Sequence, residues 1–265
     1  MILPVLISIP HGGDEIPPEV EDRICLSPSD VFHDGDSLTK TIFGFQGQVA
    51  ALLEASVARV VVDLNREPGD RPPDNPDGVV KTMTLKGIPV YGEKKGPEES
   101  LIQTLLTRYY YPYHQKLDQL ADKRGIRIAL DCHSMLPHAP TFNSSPGRKR
   151  PAICLSNGGG RQGHPLGNGK PVTCSPETIQ QMAECFKEAF EIPDNEVMIN
   201  HPFNGGHIIR SHCRGSIPWV RVEVNKKLYL PLNNRKQVAV SYSEAKIDHV
   251  REKIWMAFKL FFLNF

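Results

Sequence analysis

The chain has 265 residues, 40% hydrophobic and 8% aromatic, enough apolar content to bury a large core in one domain over 1–265. Lys and Arg number 31 against 30 Asp and Glu, so a net charge of +1 removes the electrostatic reason to expect nucleic acid or an anionic membrane and favours a small polar substrate. Six cysteines (Cys25, Cys132, Cys154, Cys174, Cys185, Cys213) are scattered without a CxxC pair, which predicts free thiols and a reducing compartment.

In chain order, Leu3 to Ile9 reads as a first strand, because Pro4 and Pro10 interrupt it and no basic segment precedes it as a signal peptide requires. The expected location is the cytoplasm. Leu38 to Glu54 carries apolar residues three and four apart and predicts a helix; Val57 to Val62 is a short β-branched run and predicts a second strand. Glu67 to Pro97, crowded with Pro, Gly and Asp, predicts a loop that closes over a site. Glu98 to Lys123 predicts a long helix, Ile126 to Leu130 a third strand, and Pro137 to Pro176 a second long loop enclosing the apolar piece Ala152 to Leu155. Pro176 to Phe190 predicts a helix capped by Ser175, with proline at its first position. Phe203 to Arg210 reads as a glycine turn leading into a short strand, and Ile217 to Val222 as a further strand. A last helix over Glu244 to Leu263 follows the capping-box pattern Ser241-Tyr242-Ser243-Glu244. Its apolar end, Ile254 to Phe265, is shorter than the roughly 20 residues that span a bilayer and predicts packing on the core, with a homo-oligomer contact left open. Alternating strands and helices define an α/β fold: a mixed, mostly parallel sheet with helices on both faces, in three layers.

Two nucleotide-binding patterns fail on inspection. Gly158 to Gly163 satisfies GxGxxG, but His164-Pro165-Leu166-Gly167 follows where a helix must open. Gly169-Lys170 resembles the end of a phosphate loop, yet Pro171 replaces its Ser or Thr.

Four apolar runs end in reactive clusters: Pro10-His11-Gly12-Gly13, Asp63-Leu64-Asn65-Arg66, Asp131-Cys132-His133-Ser134 and Glu223-Val224-Asn225. Ligand crevices of open α/β sheets lie beyond the carboxyl ends of the strands, so the clusters are expected to converge. His11 and His133, from separate strands, suit a zinc site completed by an acid, and Asp36 is preferred to Asp34 and to Asp14, which stands in a glycine turn. Glu223 interrupts an apolar strand, so it either faces a site as general base or is neutralised by Arg221. Asn65 and Arg66 emerge at a strand end, where a planar guanidinium grips a carboxylate by two hydrogen bonds, and Arg210 stands ready for a second carboxylate.

These residues carry a resemblance. Ser8 to Gly13, Asp63 to Arg66, Arg108-Tyr109-Tyr110-Tyr111-Pro112-Tyr113-His114, Asp131 to Ser134, Cys174-Ser175-Pro176, Gly205 to Arg210 and Val222-Glu223-Val224, in that order, resemble the N-formylglutamate amidohydrolase family over nearly the whole chain. The resemblance implies a zinc-peptidase-like fold of the phosphorylase/hydrolase type, and zinc-dependent cleavage of N-formyl-L-glutamate to formate and glutamate. It implies His11, Asp36 and His133 as metal ligands, Glu223 as the base, and Asn65 and Arg66 at the substrate carboxylate. Deacylation of other N-acyl amino acids, or carboxypeptidase activity on the same scaffold, is the alternative expectation; a non-catalytic binding protein is disfavoured because every chemical position is filled.

Overall fold

The computed structural model describes residues 2–93, 95–140, 146–167, 169–213, 217–231 and 241–265. In chain order the elements are β1 (Leu3–Ile9), α1 (Pro28–Asp34), α2 (Thr39–Phe43), β2 (Val49–Glu54), α3 (Glu99–Leu105), a π-helical turn (Leu106–Tyr110), α4 (Tyr111–Ala121), β3 (Ile128–Met135), β4 (Ile153–Ser156), α5 (Pro176–Phe190), β5 (Val197–Ile199), α6 (His207–His212), β6 (Trp219–Asn225) and α7 (Glu244–Asn264).

The strands form one six-stranded sheet in the order β2-β1-β3-β6-β4-β5, parallel throughout except where β4 meets β6. Alternation along the strands divides the interior into two layers of core. Val5, Ile7 and Ile9 of β1 and Val220, Val222 and Val224 of β6 pack with α2, α5 and α7. Leu6, Ala129 and Trp219 face the opposite side with α3 and α4. This is the expected mixed, mostly parallel three-layer α/β architecture. No helix of the described residues is long and apolar enough to cross a membrane. All six cysteines are free thiols.

Two of the expected elements fold differently. Leu38 to Glu54 is not one helix: α2 stops at Phe43, Gly44 caps it, Gly47 turns the chain at φ +76°, and the second half runs as β2 beside β1. The periodicity across Leu38 to Glu54 joined a helix to an edge strand, and the two glycines, which lower helix propensity and permit left-handed backbone, were the separating signal. Val57 to Val62 is not a strand. It is a buried turn touching the chain after β1 only through single bridges, Gly13 to Ala58 and Glu15 to Val57. Burial alone made it apolar, since a short apolar run specifies a dry environment and not a backbone conformation. Gly13 is needed at that crossing, because a Cβ there would lie 2.3 Å from the Ser56 carbonyl oxygen.

The helix expected over Glu98 to Lys123 runs from Glu99 to Ala121, broken by the wide turn at Leu106–Tyr110. Pro112 follows that turn directly, and its missing N–H cannot continue an ordinary ladder. Ser175 caps α5 as anticipated, its hydroxyl accepting from Thr178 N at 3.2 Å. Ser243 occupies the N-cap of α7, but no side chain bonds the cap, so the capping box does not form.

Neither long segment is a loose flap where described. Within Glu67 to Pro97, Val79, Val80 and Lys81 are fully buried, and Lys81 Nζ ion-pairs Asp34 and Asp77, each at 2.8 Å. In the second, Asn157 and Asn200 occupy the glycine turn: Asn157 Nδ2 donates to Gly163 O at 2.8 Å, and Asn200 Nδ2 donates to Gly160 O at 2.8 Å. The N–H groups of Asn157 and Gly158 donate to Asn200 Oδ1 at 3.0 and 3.2 Å and that of Gly159 to Asn157 Oδ1 at 3.0 Å, so side-chain amides occupy the donors a phosphate loop would offer.

Candidate metal centre and cleft

The carboxyl-terminal halves of β1, β3 and β6 build the floor of the site. β3 and β6 run parallel in a register that sets Asp131 beside Arg221 and His133 beside Glu223. Side chains alternate across a strand, so these four share one face while Cys132 and Val222 enter the core behind it. The reactive residues of these two strands therefore lie inside the strands and not beyond their ends as expected.

His11 follows β1 directly, and Asp36 follows α1 after Gly35. The Asp36 amide donates to His11 O at 3.0 Å, which fixes the acid beside the histidine. His11, Asp36 and His133 are all buried, and one ligand atom from each lies within 4.8 Å of the others. Asp36 Oδ2 is 3.4 Å from His11 Nδ1 and 2.9 Å from His133 Nδ1. The two rings meet edge to face with centroids 4.8 Å apart.

Behind each ring stands a carboxylate. His11 Nε2 is 2.7 Å from Asp63 Oδ1, and His133 Nε2 is 2.8 Å from Asp131 Oδ2. Donation of each Nε2–H to its carboxylate leaves both Nδ1 lone pairs facing Asp36, the tautomer a metal-binding imidazole needs. The donor set of two imidazole nitrogens and one carboxylate oxygen, the oxygen 3.4 and 2.9 Å from the two nitrogens, is of the kind that suits zinc.

The acids are held as anions. Burial by itself would raise the Asp63 and Asp131 pKa values, but His11 and Arg59 hold Asp63 well below the ordinary carboxylate range, and His133 and Arg221 depress Asp131. Burial would lower His133; without a metal, the Asp131 charge and the bonds to Asp131 and Asp36 outweigh it and carry the imidazole up to about 9.

The other acids considered are elsewhere. Asp34 is committed to Lys81 and to the Leu85 amide at 2.7 Å, and Asp14 is exposed. Glu223 is 1% exposed and is neutralised by Arg221 through one oxygen, Oε1, while the other, Oε2, has no hydrogen-bond partner among the described residues.

Asn65 is buried, and both ends of its amide are taken. Nδ2 donates to Asp131 Oδ2 at 3.0 Å, and Oδ1 accepts from Ile208 N at 2.8 Å. It braces the second carboxylate and anchors the start of α6. Gly206 must be glycine there, since a Cβ would lie 2.8 Å from the Asn65 amide. The segment expected to present Arg210 from a strand is the helix α6, and Arg210 Nη2 donates to Asn204 O at 2.5 Å on its exposed outer side. Arg66 is 2.8 Å from Asp77 and 3.6 Å from Asp70.

Two connected spaces open over the centre. An inner pocket of about 180 Å³ is lined by His11, Asp36, Arg150, Arg221, Glu223 and Lys226 among others. A wider cleft of about 500 Å³ is lined by His11, Asn65, Arg66, His207 and Arg210. Reasoning from the sequence missed the orienting parts Asp63 and Asp131, although both stand in the strand-end clusters, and missed Arg150 and Lys226, for which the sequence carries no periodic signal.

The fold and the family it matches define a class: hydrolases of amide carbon–nitrogen bonds built on a mixed α/β sheet. Residues 3–230 match the family model for N-formylglutamate amidohydrolase, and the chain belongs to that family. It is 25% identical over 250 residues to an N-formylglutamate deformylase of Pseudomonas putida, covering 89% of this chain and 87% of that one. It is 26% identical over 217 residues to an N-formylglutamate deformylase of Pseudomonas aeruginosa, covering 79% and 75%. The fold superposes on the crystal structure of N-formylglutamate amidohydrolase from Ralstonia eutropha JMP134 with a TM-score of 0.73 and 20% identity, over 99% of this chain and 94% of the other.

Proposed function

We propose that this chain hydrolyses N-formyl-L-glutamate to formate and glutamate with a single zinc ion held by His11, Asp36 and His133. The observation that carries this reading is the convergence of the two Nδ1 atoms on Asp36 Oδ2, each ring backed by a buried carboxylate. Family membership supports the substrate.

When bound, zinc would supply a Lewis acid for the amide carbonyl and the attacking water. Glu223 Oε2, unpartnered on the same sheet face as His133, accepts the proton of that water and returns it to the leaving amine nitrogen. Arg221 holds Oε1 and so fixes which oxygen faces the reaction. Asp63 and Asp131 keep both imidazoles in the tautomer that presents Nδ1, and Asn65 holds Asp131 in place instead of touching substrate. Arg66 and Arg210 line the outer cleft, where they meet a carboxylate of the amino-acid half.

The test is formate release from N-formylglutamate by metal-stripped protein with and without added zinc. Expected is zinc-dependent turnover, with N-formylglutamate preferred to N-formylglutamine. Efficient cleavage of long-chain acyl amino acids or peptide C-termini, with none of N-formylglutamate, would reassign the substrate.

A further inference from the structure

The inner pocket contains a guanidinium that forms no ion pair with any described residue. Arg150, on the chain entering β4, is 7% exposed. Among the described residues its guanidinium makes one hydrogen bond, a long one, Nη1 to Leu136 O at 3.5 Å, and its buried Nε has none. No ion pair of the described residues includes it, and the undescribed residues contain no Asp or Glu. Burial lowers its pKa, with Glu223 partly opposing the shift from a distance.

Its surroundings hold it in place without satisfying it. The guanidinium lies over Phe203, Cζ 4.9 Å from the ring centroid, and Arg221 lies over the same ring at 5.1 Å. Arg221 spends one N–H on Gly205 O at 2.9 Å and pairs with Glu223 Oε1, but its buried Nε is also unpartnered. Arg150 and Arg221 thus flank Glu223 in the wall of a pocket of about 180 Å³ that His11 and Asp36 also line, with Arg66 at the boundary it shares with the outer cleft. A buried charge without a partner is costly, and a protein retains one where a ligand completes it.

We propose that Arg150 is a specificity-determining residue that grips one carboxylate of the substrate's amino-acid half inside the inner pocket, while Arg66 and Arg210 meet the other carboxylate in the outer cleft. This rests on the amide-hydrolase reading of the same site. A flat carboxylate matches the planar guanidinium fork. The neighbouring Asp36 and Glu223 disfavour a more highly charged anion such as phosphate.

The experiment compares Arg150→Met and Arg150→Lys with the native chain, in zinc-loaded protein for kinetics and by calorimetry with glutarate as a non-reacting dicarboxylate. Arg150→Met should raise KM for N-formylglutamate and the glutarate Kd by about tenfold or more, with kcat little changed and Arg150→Lys intermediate. If the held carboxylate is that of the side chain, the preference for N-formylglutamate over N-formylglutamine collapses; if it is the α-carboxylate, both substrates weaken alike. The melting temperature of Arg150→Met should be at or above that of the native chain, because an unpaired buried charge has been removed. A lower melting temperature with unchanged KM and glutarate Kd overturns the proposal and makes Arg150 structural. Should Arg150→Met not fold, Arg150→Lys decides: a KM raised by about threefold or more supports the proposal, and a native KM overturns it. Arg150-dependent glutarate binding without deformylation defeats the functional reading alone. Deformylation with Arg150-independent KM and glutarate binding defeats this inference alone.

Discussion

At the scale of single residues, the site separates groups that hold from groups that orient. His11→Ala and His133→Ala should each abolish stoichiometric zinc, measured by elemental analysis of purified protein. Asp63→Asn and Asp131→Asn keep the shape but lose the charge behind the ring, and metal affinity should fall by about 10–100-fold, read by competition with a chelator. Native affinity in both would remove the orienting role. Glu223→Gln should bind zinc and substrate yet lose most of kcat, and full turnover would leave Glu223 a structural partner of Arg221. His11, His133 and Glu223 were legible in the sequence because each stands in or beside an apolar run, whereas Asp36 was reached only by choosing among three acids near His11. Asp63 and Asp131 were visible but mute: a carboxylate that orients a histidine is specified by three-dimensional placement, and no spacing encodes it. Asn65 was legible as a strand-end amide lining the cleft, but its bonds to Asp131 and Ile208 join residues far apart in the chain and no spacing announces them.

At the scale of elements, β1, β3 and β6 were readable because each opens on or contains a short apolar stretch of strand length before its reactive residues. β2 was hidden, since its sequence VAALLE suits a helix and only edge pairing to β1 makes it a strand. The π turn before α4 was equally hidden, yet it matters for what α4 presents: Tyr113 reaches Ser8 at 3.0 Å, Tyr110 donates to Arg66 O at 2.8 Å, and His114 Nε2 donates to Leu64 O at 3.0 Å. Burial, reinforced by His212 and His207, pulls the His114 pKa down to about 3. The unfolded chain, with an ordinary value near 6.5, takes up a proton that the folded chain refuses between these limits. His114 therefore costs no stability above about pH 6.5 and destabilises progressively as pH falls towards 3, by at most about 1.4 kcal/mol per unit. Denaturant melts of metal-free protein from pH 7 to 4 should show a shallower acid loss for His114→Gln than for the native chain. Equal slopes would refute the assignment.

For the whole molecule, an ion held by His11, Asp36 and His133 would tie β1, β3 and the end of α1 together, so metal should act on global stability and not only on turnover. Zinc at about a thousandfold over its Kd should add about 4 kcal/mol, and a chelator should lower the melting temperature accordingly. An unchanged melting temperature on chelation would place the ion outside the fold. The same scale gives the buried Lys81 a meaning beyond anchoring. Asp34, one residue from the Gly35 turn that delivers Asp36, pairs with Lys81; Lys81 pairs with Asp77; Asp77 pairs with Arg66. A chain of alternating charges thus runs from the Gly35 turn to Arg66, and on the proposed reading of the site it would set the span between metal and substrate carboxylate and act as a ruler for the substrate. Lys81→Met should blur that measure: the one-carbon discrimination between N-formylglutamate and N-formylaspartate should shrink while zinc content stays native, because the gap, and neither of its ends, has been loosened.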